Sequence, residues 1–152
     1  MARQDDKIII GGRFTAVNGV PRNCIARINP DGLVDATWNP DARLNNSVTC
    51  LATDGSNVYV GGSFASIGGQ SRNNIAKLST TGAGVADPMW NPNCSGSVYA
   101  ILVDGTNIYV GGSFNRIGGQ IRTNIARLSA STGAADLIWN PSPLVLKVKT
   151  YL

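Results

Sequence analysis

Histidine does not occur in this chain of 152 residues. Its absence removes Ser-His-Asp and Cys-His catalysis, imidazole acid–base chemistry and His-based metal ligation. Charge is sparse: 14% of residues are charged, against about 25% in ordinary soluble domains. The 13 lysines and arginines form no run and aromatics reach only 7%, which leaves no basic, aromatic platform for nucleic acid. Cysteine is limited to Cys24, Cys50 and Cys94. An odd count at three unrelated phases is no disulfide framework, so these read as small free thiols, buried or half-buried. No apolar run approaches the ~20 residues needed to cross a bilayer, and the polar start, Met1 to Asp6, does not look like a signal peptide. The expectation is a chain made in the cytoplasm without membrane insertion, its final location open and including a virion or surface assembly.

What is abundant is glycine, 18 residues, and its placement is periodic. Gly11-Gly12 recurs as Gly61-Gly62 and Gly111-Gly112, and Phe14, Phe64 and Phe114 follow in register. So do Gly19, Gly69 and Gly119; Arg22, Arg72 and Arg122; and Ile25, Ile75 and Ile125. A fixed period in this range is the mark of repeat architectures. The chain reads as a single repeat domain, 1–152, with repeats near 2–51, 52–101 and 102–152. Val48, Val98 and Val148 share a phase, as do Leu51, Ile101 and Tyr151, so 147–152 copies the start of an inner strand. We expect it to act as a closing strand, with Val148 and Tyr151 buried and Lys147 and Lys149 facing solvent or a channel.

Within one repeat the pattern is all β. SVTCLATDG alternates and ends in a turn, and SNVYVGGSF follows, so Asp54-Gly55 marks a hairpin. ASIGGQSR reads as a polar loop, NNIAKLS as a short third strand and VADPMWNP as a fourth, broken by Pro88 and Pro92. No window carries a helical stripe, and the Gly-rich loops lead into no helix, so they lack phosphate-binding context. Glycine pairs inside a strand point to a bulge or a close backbone approach. Trp38, Trp90 and Trp139 are spaced by 52 and 49 residues, a slip attributable to turn length. These tryptophans read as aromatics packed between neighbouring sheets rather than as sugar-stacking platforms.

The stretch from Lys7 to Pro40, with Gly11-Gly12, the N-C-I-A-R-I segment and D-A-T-W-N-P, resembles the delta-60 repeat, which belongs to the β-propeller class. The glycine pair after a strand is similar to that of kelch blades. The resemblance runs through all three copies. It departs from the repeat in having Trp where Phe is usual after the Asp, and in the turns Ser79-Thr80-Thr81-Gly82 and Ser129 to Gly133, which replace Asn29-Pro30-Asp31-Gly32. It implies propeller blades acting as a structural or binding module.

The expected architecture is therefore three four-stranded propeller-type blades of about 50 residues each. Propellers usually have four to eight blades, so three cannot close alone. A homodimer making a six-bladed ring by head-to-tail contacts is the simplest completion. A monomeric β-trefoil has the same arithmetic and stands as the alternative, as does a fragment of a longer array.

For function, the nine acids offer little. Asp5, Asp6, Asp31, Asp54 and Asp104 fall at turns, where Asp is favoured by its own backbone hydrogen bonds. Asp35, Asp87 and Asp136 recur before the Trp, and a threefold carboxylate is better explained by structure than as a glycosidase pair. No enzyme, cofactor or metal is expected. The repeated polar residues Arg22, Arg72, Arg122, Gln70, Gln120, Asn91 and Asn140 are the candidate ligand-binding set, since guanidinium and amide groups suit sugar hydroxyls, carboxylates and peptide carbonyls. The same arginines would equally serve to tie loops through backbone carbonyls. The functional reading is a non-enzymatic binding module for carbohydrate or protein, with a structural or assembly protein as the alternative.

Overall fold

The computed structural model describes residues 1–43 and 46–141. The closing strand expected at 147–152, with Val148 and Tyr151, lies outside the described residues. The first repeat holds β1 (Ala2–Gln4), β2 (Lys7–Gly11), β3 (Ala16–Val17), β4 (Val20–Pro21) and β5 (Ile25–Ile28). The second holds β6 (Ser47–Thr53), β7 (Asn57–Ser63), β8 (Ser66–Ile67), β9 (Gln70–Ser71) and β10 (Ile75–Ser79). The third holds β11 (Ser97–Asp104), β12 (Asn107–Ser113), β13 (Arg116–Ile117), β14 (Gln120–Ile121) and β15 (Ile125–Ser129). No helix occurs among the described residues.

Each repeat makes one antiparallel three-stranded sheet, ordered β1-β2-β5, β6-β7-β10 and β11-β12-β15, plus a separate two-stranded hairpin. Two details differ from the sequence reading. The fourth strand is reduced to one bridge per repeat, Ile28 with Val34, Leu78 with Ala86 and Leu128 with Ala135. Pro88 and Pro92 remove donors that a longer ladder in the second repeat would need. The segment read as a polar loop instead closes on itself as the hairpins β3–β4, β8–β9 and β13–β14. Gly68 and Gly69 (φ +60° and +74°) make that turn feasible.

The hairpin between β6 and β7 forms where Asp54-Gly55 places it. Asp54 accepts hydrogen bonds from the Ser56 and Asn57 amides at 3.0 and 2.7 Å. The glycine pairs mark both a bulge and a close approach. The β6–β7 register slips between Val48 and Cys50, opposite Gly61 and Gly62, and the β11–β12 register slips between Val98 and Ala100. A Cβ at Gly62 would overlap the Ser47 carbonyl oxygen, and one at Gly61 would lie 2.5 Å from Val98 of the next sheet.

The core lies between neighbouring sheets. Ile9, Ile25 and Trp38 of the first repeat pack with Val48, Val58 and Leu78 of the second. Tyr59, Ile75 and Trp90 of the second pack with Val98, Ile108 and Leu128 of the third. Trp38 and Trp90 are fully buried, and their indole N–H groups donate to the Ser79 and Ser129 carbonyls of the following sheet at 2.9 and 3.0 Å. These tryptophans therefore stitch sheet to sheet.

Candidate functional site

The repeated arginines do not face solvent. Arg22, Arg72 and Arg122 are all buried. Each spends one terminal nitrogen on the carbonyl just before it, Pro21, Ser71 or Ile121, at 2.7 Å. The other terminal nitrogen donates to the carbonyl of Asp35, Asp87 or Asp136. Each arginine thus pins the small hairpin to the start of the Asp-to-Trp segment. Of the two roles open to it in the sequence, the structure displays the backbone tie.

The carboxylates of that segment are equally committed. Asp35 pairs with Arg27 at 2.9 Å and Lys7 at 2.8 Å, Asp87 with Lys77 at 3.1 Å and Asp136 with Arg127 at 2.6 Å. Their other oxygens accept backbone amides at the turn: Thr37 for Asp35, Met89 for Asp87, Ile138 and Trp139 for Asp136. Burial alone would raise the Asp35 carboxyl, but the bonds from Lys7, Thr37 and Arg27 outweigh it and hold it far below the usual carboxylate range. Asp87 is lowered in the same way, burial being outweighed by the Met89 amide and Lys77. Asp136 is pulled down to about 2, first by the Trp139 amide and then by Arg127. A carboxyl held ionised cannot donate a proton near neutral pH, which is what a glycosidase acid must do.

Sequence reasoning named the acids and missed their partners. The signal was present: Arg27, Lys77 and Arg127 recur in register as the charged residue inside an otherwise apolar strand, β5, β10 and β15. A charge there needs a fixed counter-ion.

The amide candidates divide differently. Gln70, Asn91 and Asn140 are exposed and Gln120 is half-buried. Hairpin and inter-sheet loop do share one side, because the Gly68 amide donates to the Pro40 carbonyl at 2.6 Å and the Gly118 amide to the Pro92 carbonyl at 2.7 Å. Gln120 therefore neighbours the Asn91 loop, and Gln70 neighbours a loop whose amide, Asn39, was not among the candidates. Asn140 follows the third sheet, and no hairpin lies beside it among the described residues. Between the first and second repeats this arrangement opens a cleft of about 460 Å³, lined among others by Asn39, Asp41, Arg43, Ser66 and Gly69. Asp41 is tied by the Asn23 amide at 2.6 Å.

The family is legible in this geometry of repeated sheets, glycine pairs and Asp-to-Trp ties. The model of a family described as a domain of unknown function (DUF5122) beta-propeller matches residues 3–37, 57–83 and 107–137. The chain belongs to this DUF5122 β-propeller family. Membership favours the propeller over the trefoil, and the three matched stretches coincide with the three repeats. No curated protein and no solved structure matches the chain. The DUF5122 repeats here hold no group of three or more Cys, Asp or Glu able to bind a metal among the described residues. The thiols are free. Burial pushes Cys50 up to about 12 and Cys94 to about 11, so neither is the thiolate that nucleophilic chemistry requires.

Proposed function

We propose that the chain is a non-enzymatic β-propeller module that presents a repeated polar face to a carbohydrate or protein ligand. The observation that carries this is the pairing of the second and third small hairpins with the inter-sheet loop that precedes each. It lines up Gln70, Gln120, Asn39 and Asn91 on one side and opens the cleft beside Arg43. Amides paired with a nearby guanidinium offer donors and acceptors spaced for vicinal hydroxyls, which puts carbohydrate first. The ionised, paired aspartates and the buried, protonated Cys50 and Cys94 favour binding over catalysis. Arg22, Arg72 and Arg122 belong to the frame of this face and not to its contact surface.

A glycan array is the test, read for the parent and for a variant carrying Arg43→Ala and Gln70→Ala. Binding that is lost in the variant supports the reading. A protein ligand retained equally by parent and variant, or glycan binding unchanged by the variant, overturns the cleft as the site. The alternative, a structural or assembly role, is favoured by one observation: polar side chains repeated in register are spent on internal ties, as in Asn23 to Asp41 at 2.6 Å and Asn73 to Asn93 at 2.8 Å.

A further inference from the structure

The two internal junctions, first sheet to second and second to third, are built from the same contacts, and each end of the described chain shows half of a third. At both junctions a tryptophan N–H meets the carbonyl of the last residue of the next sheet's third strand, Ser79 of β10 or Ser129 of β15. A cation of the preceding sheet also reaches the next carbonyl, Arg27 to Thr80 and Lys77 to Ala130. A positive-φ glycine two residues before the outer bridge then seats against the preceding Trp-Asn-Pro loop. A Cβ on Gly84 would lie 2.7 Å from both Trp38 and Pro40, and one on Gly133 3.0 Å from Pro92.

The exposed ends carry the matching halves. Beyond the third sheet, Trp139 is only half-buried, and its indole N–H has no acceptor among the described residues. Arg127 sits over the Trp139 ring at 5.7 Å, its Nε unpartnered. Before the first sheet, the glycine in register with Gly84 and Gly133 is Gly32. It has the same turn (φ +82°) and nothing within 4 Å. Ile8 stands where Val58 and Ile108 stand in β7 and β12. Those two are 0% exposed against the sheet before them, whereas Ile8 is 38% exposed. Among the described residues the β2 edge is also short of a partner: β1 pairs only Lys7 to Ile9, leaving Ile10 to Gly12 without the ladder that Val60 to Gly62 has with β6.

We infer that the Trp139 face of one copy seats on the Gly32 face of a second copy and reproduces the internal junction between chains. The Trp139 indole would donate to the second copy's Asn29 carbonyl and Arg127 to its Pro30 carbonyl. Gly32 would lie against Trp139 and Pro141, and the Asn18 amide would take the Pro141 carbonyl as Gly68 takes Pro40. Such a contact is head-to-tail, so it must close into a ring or run on as a fibre. Three sheets in the described residues of each copy and rings of four to eight blades leave two copies and six blades. The inference rests on the propeller reading and is independent of any ligand.

Light scattering on the full chain, with the variants Gly32→Asn and Pro30→Arg, tests it. Asn accepts the left-handed turn, and Gly32 has open space around it in a single copy, so Gly32→Asn should stay folded while its side chain fills the seat of Trp139. Pro30→Arg places a cation opposite Arg127. The expected result is a parent near twice 15.9 kDa and both variants near 15.9 kDa with strand-rich circular dichroism retained. A parent at the single mass, a parent dimer unchanged by either variant, or a ladder of higher masses overturns it. If Gly32→Asn fails to fold, Pro30→Arg alone decides by the same masses. Because no ligand enters this measurement, its failure leaves the glycan reading standing, and a blank glycan array leaves this contact standing.

Discussion

Replacing Cys24 by Asn should stabilise the protein. Cys24 sits in the left-handed region at φ +63°, and the residues in register, Asn74 and Asn124, sit at +65° and +64°. An ordinary L-residue held there costs roughly 1–2 kcal/mol, and Asn visits the region far more readily. Asn74 adds two local bonds. Its Oδ1 accepts the Phe64 amide at 3.3 Å, and its Nδ2 donates to the Cys94 carbonyl at 3.0 Å. Cys24 supplies one weaker link, its thiol reaching the Asn46 carbonyl at 3.0 Å. The pocket suits the larger side chain, since Asn124 is as buried as Cys24, at 5% against 4%. Relief of most of the backbone cost plus one modest hydrogen bond sums to about 1–2 kcal/mol. At about 2–4 °C per kcal/mol for a chain of this size, the melting temperature should rise by roughly 2–8 °C. Scanning calorimetry on the two proteins under reducing conditions reads this directly. Most substitutions destabilise, so a gain is not the default outcome. A melting temperature unchanged or lowered would show that the three positions are not physically equivalent, and the repeat register would have to be redrawn.

Gly62→Ala should lose about 1–3 kcal/mol in urea unfolding, because the added Cβ overlaps backbone of Ser47 and Val48 that no rotamer change can move aside; a loss below half a kcal/mol would refute the close approach. In acid, the carboxyls of Asp35, Asp87 and Asp136 titrate below their unfolded values, so the unfolded chain binds more protons in between. Their contribution is fully present above about pH 4 and is lost as the pH falls toward the folded values, about 2 for Asp136. A melting temperature that stays flat from pH 5 to pH 2 would contradict the pairing. Cys50 and Cys94, held protonated by burial, should react with a thiol reagent at pH 8 far more slowly in the native protein than in urea, and equal rates would remove the burial argument.

The period, the hairpin at Asp54-Gly55 and the bulges at the glycine pairs were legible because each is a local backbone demand written in residue type. Gly62 has to be glycine for a reason visible within its own hairpin. The inter-sheet role of Trp38 and Trp90 was legible for a similar reason, since large aromatics in register must share one environment. The small hairpins were not. Two-residue ladders such as Ser66–Ile67 with Gln70–Ser71 are too short for alternation to show, and their polarity reads as loop. The reduced fourth strand escaped because Val34, Ala86 and Ala135 form single bridges, each between an exposed residue (Leu33, Val85 or Ala134) and an ion-paired aspartate.

The arginines of the candidate site carry the sharper lesson. Repetition in register signals a constraint without saying whether the constraint is a ligand or the fold. Geometry separates the two by where the donors end. Arg22, Arg72 and Arg122 all end on backbone carbonyls that would otherwise be buried beside the Asp-to-Trp turn. Such carbonyls recur wherever the turn recurs, so the tie must recur too. A ligand-reading residue has no such obligation and can differ between copies, provided the fold leaves it in solvent. Positions that vary and stay exposed are therefore a second place to look for recognition, beside the exposed glutamines and asparagines of the hairpin face. Thr37, Met89 and Ile138 occupy one phase just before the Trp and are all exposed, Met89 at 81% and Ile138 at 93%. Met89 and Ile138 reach the turn through their backbone amides, so either side chain could change without disturbing the Asp, the cation and the Trp that hold it, whereas the Thr37 hydroxyl also donates to Asp35 at 2.8 Å.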